Sequence, residues 1–205
     1  RYNVSGRNTA SFLNDKLTLD FGANLIFQND RNMTAQGRYF NPLTSLYLFP
    51  RADNFDAVRM YERYNEGLGI YEQYWPYETQ SMELQNPYWT MNRIIRENKK
   101  KRFMTNASLK WNIIEGIDIT GRLKYDKTDM RSTDKRYAST IEQFASAYGG
   151  YYDIRKEYSS FYGDIMLNIA KTFKDNTWSV NANIGASIND QREEQIGHGG
   201  NLEGI

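Results

Sequence analysis

The chain has 205 residues, a formal net charge of +1, 40% hydrophobic residues and no cysteine. That balance gives no bias toward nucleic acid and excludes a disulfide framework and thiol chemistry. No apolar run approaches the length of about 18 residues that a transmembrane helix needs, so any membrane span must be made by strands, in which only alternate residues are apolar.

Period-two hydrophobicity is the dominant pattern, and alternation of this kind gives a strand one greasy face and one wet one. Tyr2 to Phe12 shows it weakly, with Val4, Ala10 and Phe12 on the apolar face. Lys16 to Gln28 shows it clearly: Leu17, Leu19, Phe21, Ala23, Leu25 and Phe27 oppose Asp20, Gly22, Asn24 and Gln28, with Ile26 as the one breach. Phe103 to Trp111 follows, opposed by Asn106, Ser108, Lys110 and Asn112, and then Ile117 to Tyr125, opposed by Asp118, Thr120, Arg122 and Lys124. Phe161 to Phe173 sets Ile165, Leu167 and Ile169 against Asp164, Asn168 and Thr172. Trp178 to Ile188 alternates most cleanly, with Asn181 and Asn183 among its polar positions. Six strands in three hairpins are expected.

A soluble sandwich also alternates. Three features favour a membrane barrel instead. The segments run to about nine to eleven residues or more, the length of a tilted membrane strand rather than the five or six of an average soluble one. Amides and charges stand in mid-strand, as a wet lumen allows and a dry core does not. Large aromatics close the apolar face at its ends: Phe103 and Trp111, Phe161 and Phe173, and Trp178. Eight residues at about 3.4 Å each, tilted by about 40°, project to roughly 21 Å, close to the apolar band of about 25 Å between aromatic girdles.

The connectors add direction. Asn14-Asp15, Ile113 to Gly116 and Lys174 to Thr177 read as tight turns, whereas the stretches 29–101 and 127–156 read as long loops. Short periplasmic turns and long external loops are the rule for outer-membrane barrels, so these loops are expected outside the cell. Six strands are too few to close a barrel, which starts at about eight, so the chain is expected to be part of a larger one.

Within 29–101, Asp53 or Asn54 reads as the cap of a short helix, with Phe55, Val58, Tyr61 and then Tyr64 or Leu68 on one side and Gly67 or Gly69 as its stop. The loop is rich in aromatics, notably Tyr71, Tyr74, Trp75, Tyr77, Tyr88 and Trp89. Flat rings bind sugar faces and peptide side chains, and rings also pack a long loop against itself; both readings stay open. Asn24, Gln28, Lys110, Arg122, Lys124, Asp164, Asn181 and Asn183 are the candidates to line a lumen. Such residues also satisfy one another by hydrogen bonds.

His198, the only histidine, stands in Gly197-His198-Gly199-Gly200 without a second imidazole or thiolate, so no metal site and no cofactor are expected. Carboxylates such as Glu193, Glu194, Asp129 and Asp134 read as solvated charge, and no enzyme activity is expected.

One set of motifs is more specific. Asn41-Pro42-Leu43, Leu46-Tyr47-Leu48-Phe49-Pro50-Arg51, Gln73-Tyr74-Trp75-Pro76 and Gln85-Asn86-Pro87-Tyr88-Trp89, then Arg102-Phe103 and Gly121 to Asp126, resemble in order and spacing the SusC/RagA family of TonB-dependent outer-membrane transporters of the Bacteroidota. The chain departs from that pattern after Pro50-Arg51, where the family usually has Gly-Asp and this sequence has Ala52-Asp53-Asn54. The resemblance implies a 22-stranded barrel with an N-terminal plug, a SusD-like lipoprotein closing over the external mouth, and TonB acting from the periplasm through a segment outside these residues. It implies import of oligosaccharides or peptides across the outer membrane, with lipid around the barrel; the net charge of +1, separately, gives no reason to expect a nucleic-acid partner. Two alternatives belong to other classes: a soluble carbohydrate-binding β-sandwich, and a passive porin or adhesion barrel without plug or TonB.

Overall fold

A computed structural model describes residues 1–33, 37–77, 84–173 and 178–203. The fold is all-β, with 66% of residues in strands and 9% in helices, which leaves no material for a helical layer over a sheet. Six strands form one mostly antiparallel sheet: β1 (Tyr2–Phe12), β2 (Leu17–Arg31), β5 (Ile94–Ile114), β6 (Ile117–Arg136), β7 (Gly150–Phe173) and β8 (Trp178–Asn201). Their order is β1-β2-β5-β6-β7-β8, and the sheet is not closed. A separate pair, β3 (Glu62–Asn65) with β4 (Ile70–Gln73), lies in the long connection after β2, together with helices α1 (Pro42–Tyr47) and α2 (Pro87–Arg93) and a 3-10 helix over Phe55–Arg59.

All six alternating segments are strands of this sheet. β1 and β2 pair antiparallel from Tyr2 opposite Phe27 to Phe12 opposite Leu17. Their turn occupies Leu13 to Lys16, one residue wider on each side than Asn14-Asp15, with Leu13, Asn14 and Asp15 all at positive φ (56°, 56° and 63°). The turn between β5 and β6 narrows to Glu115-Gly116, where Gly116 has φ of 77° and a Cβ would come within 2.3 Å of the Ala170 carbonyl oxygen. The third expected turn, Lys174 to Thr177, lies outside the described residues.

Boundaries change in three places, and β8, expected to end at Ile188 with Gly197-His198-Gly199-Gly200 in a loop, runs on through that segment to Asn201. Strand β5 begins at Ile94 and not near Phe103, and the stretch assigned to a second loop at 127–156 is mostly strand, its true connection being residues 137–149. In Lys127-Thr128-Asp129 and Arg155-Lys156-Glu157 both faces are polar, so the hydrophobic alternation fades while the backbone ladder continues. The expected short helix also shrinks: Asn54 caps a 3-10 turn, its Oδ1 accepting from Asp56 N at 3.0 Å, that ends before Tyr61. Tyr64 belongs to the β3-β4 hairpin instead, and Leu68 sits in its turn, where Asn65 Oδ1 accepts from Gly67 N and Leu68 N.

The chain divides into two compact units, one of Arg1–Gln28, Lys100–Met130 and Lys156–Gln195 and the other of Asn29–Lys99, Arg131–Arg155 and Ile196–Ile205. Among the described residues the first consists of strands and tight turns. The second holds all the buried hydrophobic residues found among the described ones: Val58, Leu84, Trp89, Ile94 and Ala145. Two Asn-Pro pairs start its helices. Asn41 Oδ1 accepts from Leu43 N at 3.0 Å, Asn86 Oδ1 accepts from Tyr88 N at 2.9 Å, and each proline takes the first helical position, where its missing N–H costs nothing.

Candidate functional site

In the first unit the two strand phases have different chemistry. On the polar phase, charges meet across strands: Arg7 Nε donates to Asp20 at 3.0 Å, Lys110 stands 3.7 Å from Asp118, and Arg122 Nε donates to Asp164 at 2.9 Å. Asn168 donates to Asp118 at 2.7 Å, Arg102 pairs with Asp126, and the Lys124 ammonium lies 5.8 Å from the Tyr162 ring centre. Four of the expected lumen residues, Lys110, Arg122, Lys124 and Asp164, are thus held in cross-strand contacts. Asn24 is half-buried, with an Oδ1 that no described group donates to, and Gln28 is half-buried and has a partner. Asn181 and Asn183 are exposed on β8.

The other phase is apolar and uncovered. Leu123, Ile165 and Ile184 are 53%, 56% and 66% exposed, and Phe103 and Tyr125 meet with ring centres 6.4 Å apart at one end of this band. Gly163 lets neighbours close in there, since a Cβ would sit 3.2 Å from Leu123 and 3.5 Å from Ile188. Farther along the same phase the residues turn to charge: Lys101 beyond Phe103, Lys127 beyond Tyr125, Glu157 beyond Phe161 and Asp190 beyond Ile188. Lys127 and Glu157 form an ion pair of 2.6 Å. At the opposite end stand Trp111, Phe173 and Trp178, all exposed.

The second unit sorts the loop aromatics. Trp89 is a correction: it is 0% exposed, and its Nε1 donates to Thr140 Oγ1 at 3.3 Å, so it belongs to the core and touches no ligand. Helix α2 turns it inward from the Asn86 cap. Tyr88 stacks on Tyr61, and the Arg63 guanidinium lies over the Tyr74 ring at 3.3 Å. Trp75 meets Tyr77 edge-on at 5.0 Å, Tyr77 meets Phe49 at 5.0 Å, and Phe49 meets Phe55 at 5.4 Å. Burial pushes the Tyr77 phenol above the usual tyrosine range, and the charge of Asp53 adds to that. These rings pack the loop on itself.

Tyr71 is different. It is 54% exposed and lines a cavity of about 450 Å³ with Tyr137, Tyr148, Tyr151 and Lys135. Arg93 braces two of those walls, its guanidinium 5.0 Å from the Tyr137 ring centre and 6.0 Å from that of Tyr71. It is fixed there by Glu62, with bonds of 2.7 and 2.9 Å, and that carboxylate holds its pKa above the usual arginine range. Sequence reasoning missed Tyr137, Tyr148 and Tyr151. The signal was Tyr148-Gly149-Gly150-Tyr151, a pair of glycines within a run of tyrosines. Gly149, at φ 97°, is needed because a Cβ would reach within 2.4 Å of the Arg136 carbonyl oxygen.

Among the described residues no group of three or more histidines, cysteines, aspartates or glutamates is placed to hold a metal. His198 Nε2 is 3.9 Å from an Asp153 carboxylate already engaged by Arg131. No protein-family model matches the chain, and no curated protein matches it.

Proposed function

We propose that this chain is a β-barrel segment of an outer-membrane importer that takes up oligosaccharides or peptides, driven through TonB and served by a SusD-like surface lipoprotein. One observation carries the membrane part of the reading. The first unit keeps an apolar face over several adjacent strands with no second layer on it, while every buried hydrophobic residue among the described ones belongs to the other unit. A soluble sandwich buries that face; an uncovered one of this extent calls for lipid. The ion pairs of the opposite phase suit a wet lumen, where charge need not be dehydrated.

The open edges at β1 and β8 fit the same reading. In hydrocarbon an unpaired strand edge costs several kcal/mol per unsatisfied group, so further strands must close the sheet, as the resemblance to SusC/RagA transporters implies. Transport is favoured over a passive porin by the order of the loop motifs alone. No catalytic role is proposed.

The test is to purify the full-length protein from native outer membranes in detergent and identify what accompanies it. A lipoprotein in about equal amount supports the importer. A protein recovered in the soluble fraction overturns the membrane reading, and a barrel that emerges alone and conducts without TonB overturns the transporter in favour of a porin.

A further inference from the structure

The tyrosine-walled cavity of the second unit adjoins a smaller polar cleft of about 180 Å³, lined by Glu97, Lys99, Arg131, Thr133, Lys135 and Tyr151. Lys135 and Tyr151 line both. The charge of this cleft is uneven. Arg131 is taken by Asp153, with bonds of 3.1 and 3.0 Å, and Glu97 is the one acid in the lining. Among the described residues the ion-paired lysines are Lys110 and Lys127, so Lys99 and Lys135 have ammonium groups without a carboxylate partner.

We propose that cavity and cleft together bind an acidic saccharide, one ring against the tyrosines and its carboxylate or sulfate against Lys135 and Lys99. Tyrosine suits the ring: an apolar face takes the C–H side of a sugar and the phenol edge takes its hydroxyls. Lys135 sits at the join and demands the charge. A purely apolar ligand would strip water from its ammonium without replacing it, and a neutral sugar would leave both lysines unanswered.

The kind of cation also matters. The guanidinium groups near the cavity are already engaged, Arg93 by Glu62 and Arg136 by Asp134. What remains is ammonium, a point charge that accepts an anionic substituent from any direction rather than a planar carboxylate from one. A peptide fits less well. It would want free backbone groups along a strand edge, and here Leu202 N donates to Gly149 O, Gly149 N to Ser146 O and Tyr137 N to Arg93 O.

Lys99, Arg131, Lys135 and Tyr151 continue the strand phase of Phe103, Tyr125 and Phe161, so the site opens on the outward side of the sheet. This inference rests on the import reading only for the site's place outside the cell, and binding itself needs no transport. The test is titration calorimetry on the full-length protein in detergent, with tetragalacturonate against neutral galactotetraose. The acidic sugar should bind about tenfold more tightly at low salt, with an advantage that shrinks as salt rises. Lys135→Gln should abolish that advantage and leave the neutral sugar unchanged, and Tyr148→Ala should weaken both; both side chains are on the surface, so folding is checked by an unchanged thermal melt. Equal binding of the two sugars, or an advantage that survives Lys135→Gln, overturns the proposal, as does tetraglutamate binding as well as tetragalacturonate.

A second arm separates free from lipid-borne saccharide. In phosphatidylcholine nanodiscs, an added ganglioside that displaces tetragalacturonate through Lys135 assigns the site to a membrane glycolipid, and no displacement assigns it to a free glycan. Intact binding with no TonB-dependent uptake would sink the importer and keep the site. Binding indifferent to charge and to Lys135, with TonB-dependent uptake intact, would sink the site and keep the importer.

Discussion

Asn86 shows how much one loop side chain can organise. It caps α2 by accepting from Tyr88 N, and its amide donates to Val58 O at 2.8 Å and Tyr74 O at 3.2 Å, all while 1% exposed. Replacing it by Ala removes the cap and strands buried groups, which should cost about 2–4 kcal/mol. Asn86→Asp separates the two roles: aspartate caps a helix well, but here it would turn a carboxylate toward two carbonyl oxygens. Both variants should speed proteolysis within 37–93 by similar factors, and an Asp variant as resistant as the parent would show that capping is the whole contribution. Trp89→Ala should cost about 3–5 kcal/mol by leaving a cavity in the core. Tyr71→Ala, which removes a half-exposed ring and its edge-on contact with Tyr64, should cost about 1 kcal/mol, read from the thermal melt.

At the scale of elements, legibility followed the contrast between faces. Six strands could be read because Leu, Ile and Phe alternated with Asn, Lys and Asp, and the reading stopped where Lys127-Thr128-Asp129 made both faces polar. Helices α1 and α2 were visible only as motifs, since six or seven residues are too few to show a 3.6-residue period; the Asn-Pro starts were the usable sign. The aromatic loop was legible in composition but not in role, because exposure separates Tyr71 from Trp89 and exposure is set by tertiary packing. Strand phase makes its own prediction. Ile184→Arg, on the uncovered apolar face of β8, or Leu25→Arg on that of β2, should cost about 2–4 kcal/mol in lipid near the midplane, while Asn183→Arg should be far milder. Equal effects of Ile184→Arg and Asn183→Arg on assembly into vesicles would refute the facing.

The β1-β2 turn adds a subtler case. Asn and Asp are the residue types that best tolerate the left-handed region, as Asn14 and Asp15 do here, but Leu13 shares it at φ 56° without that tolerance. Leu13→Asn should therefore stabilise the hairpin by up to about 1 kcal/mol, read as a raised melting temperature. A lowered one would mean that Leu13 contributes more by packing than its backbone loses by strain.

For the whole molecule the decisive property is sidedness, and because these 205 residues hold no cysteine, one introduced here gives a signal with no background from this stretch. In the import reading the tight turns face the periplasm and the connection at 137–149 faces the medium. A single cysteine at Glu115, in the turn between β5 and β6, should resist a membrane-impermeant maleimide in intact cells and react once the outer membrane is opened. A cysteine at Tyr148, 45% exposed, should react at once in intact cells. The pair is informative because its failures differ. Reaction of both in intact cells would place both connections outside and refute strands crossing the bilayer between them. The reverse pattern would keep the crossing and invert the barrel, moving the saccharide cavity to the periplasmic side, where a surface lipoprotein could not deliver to it.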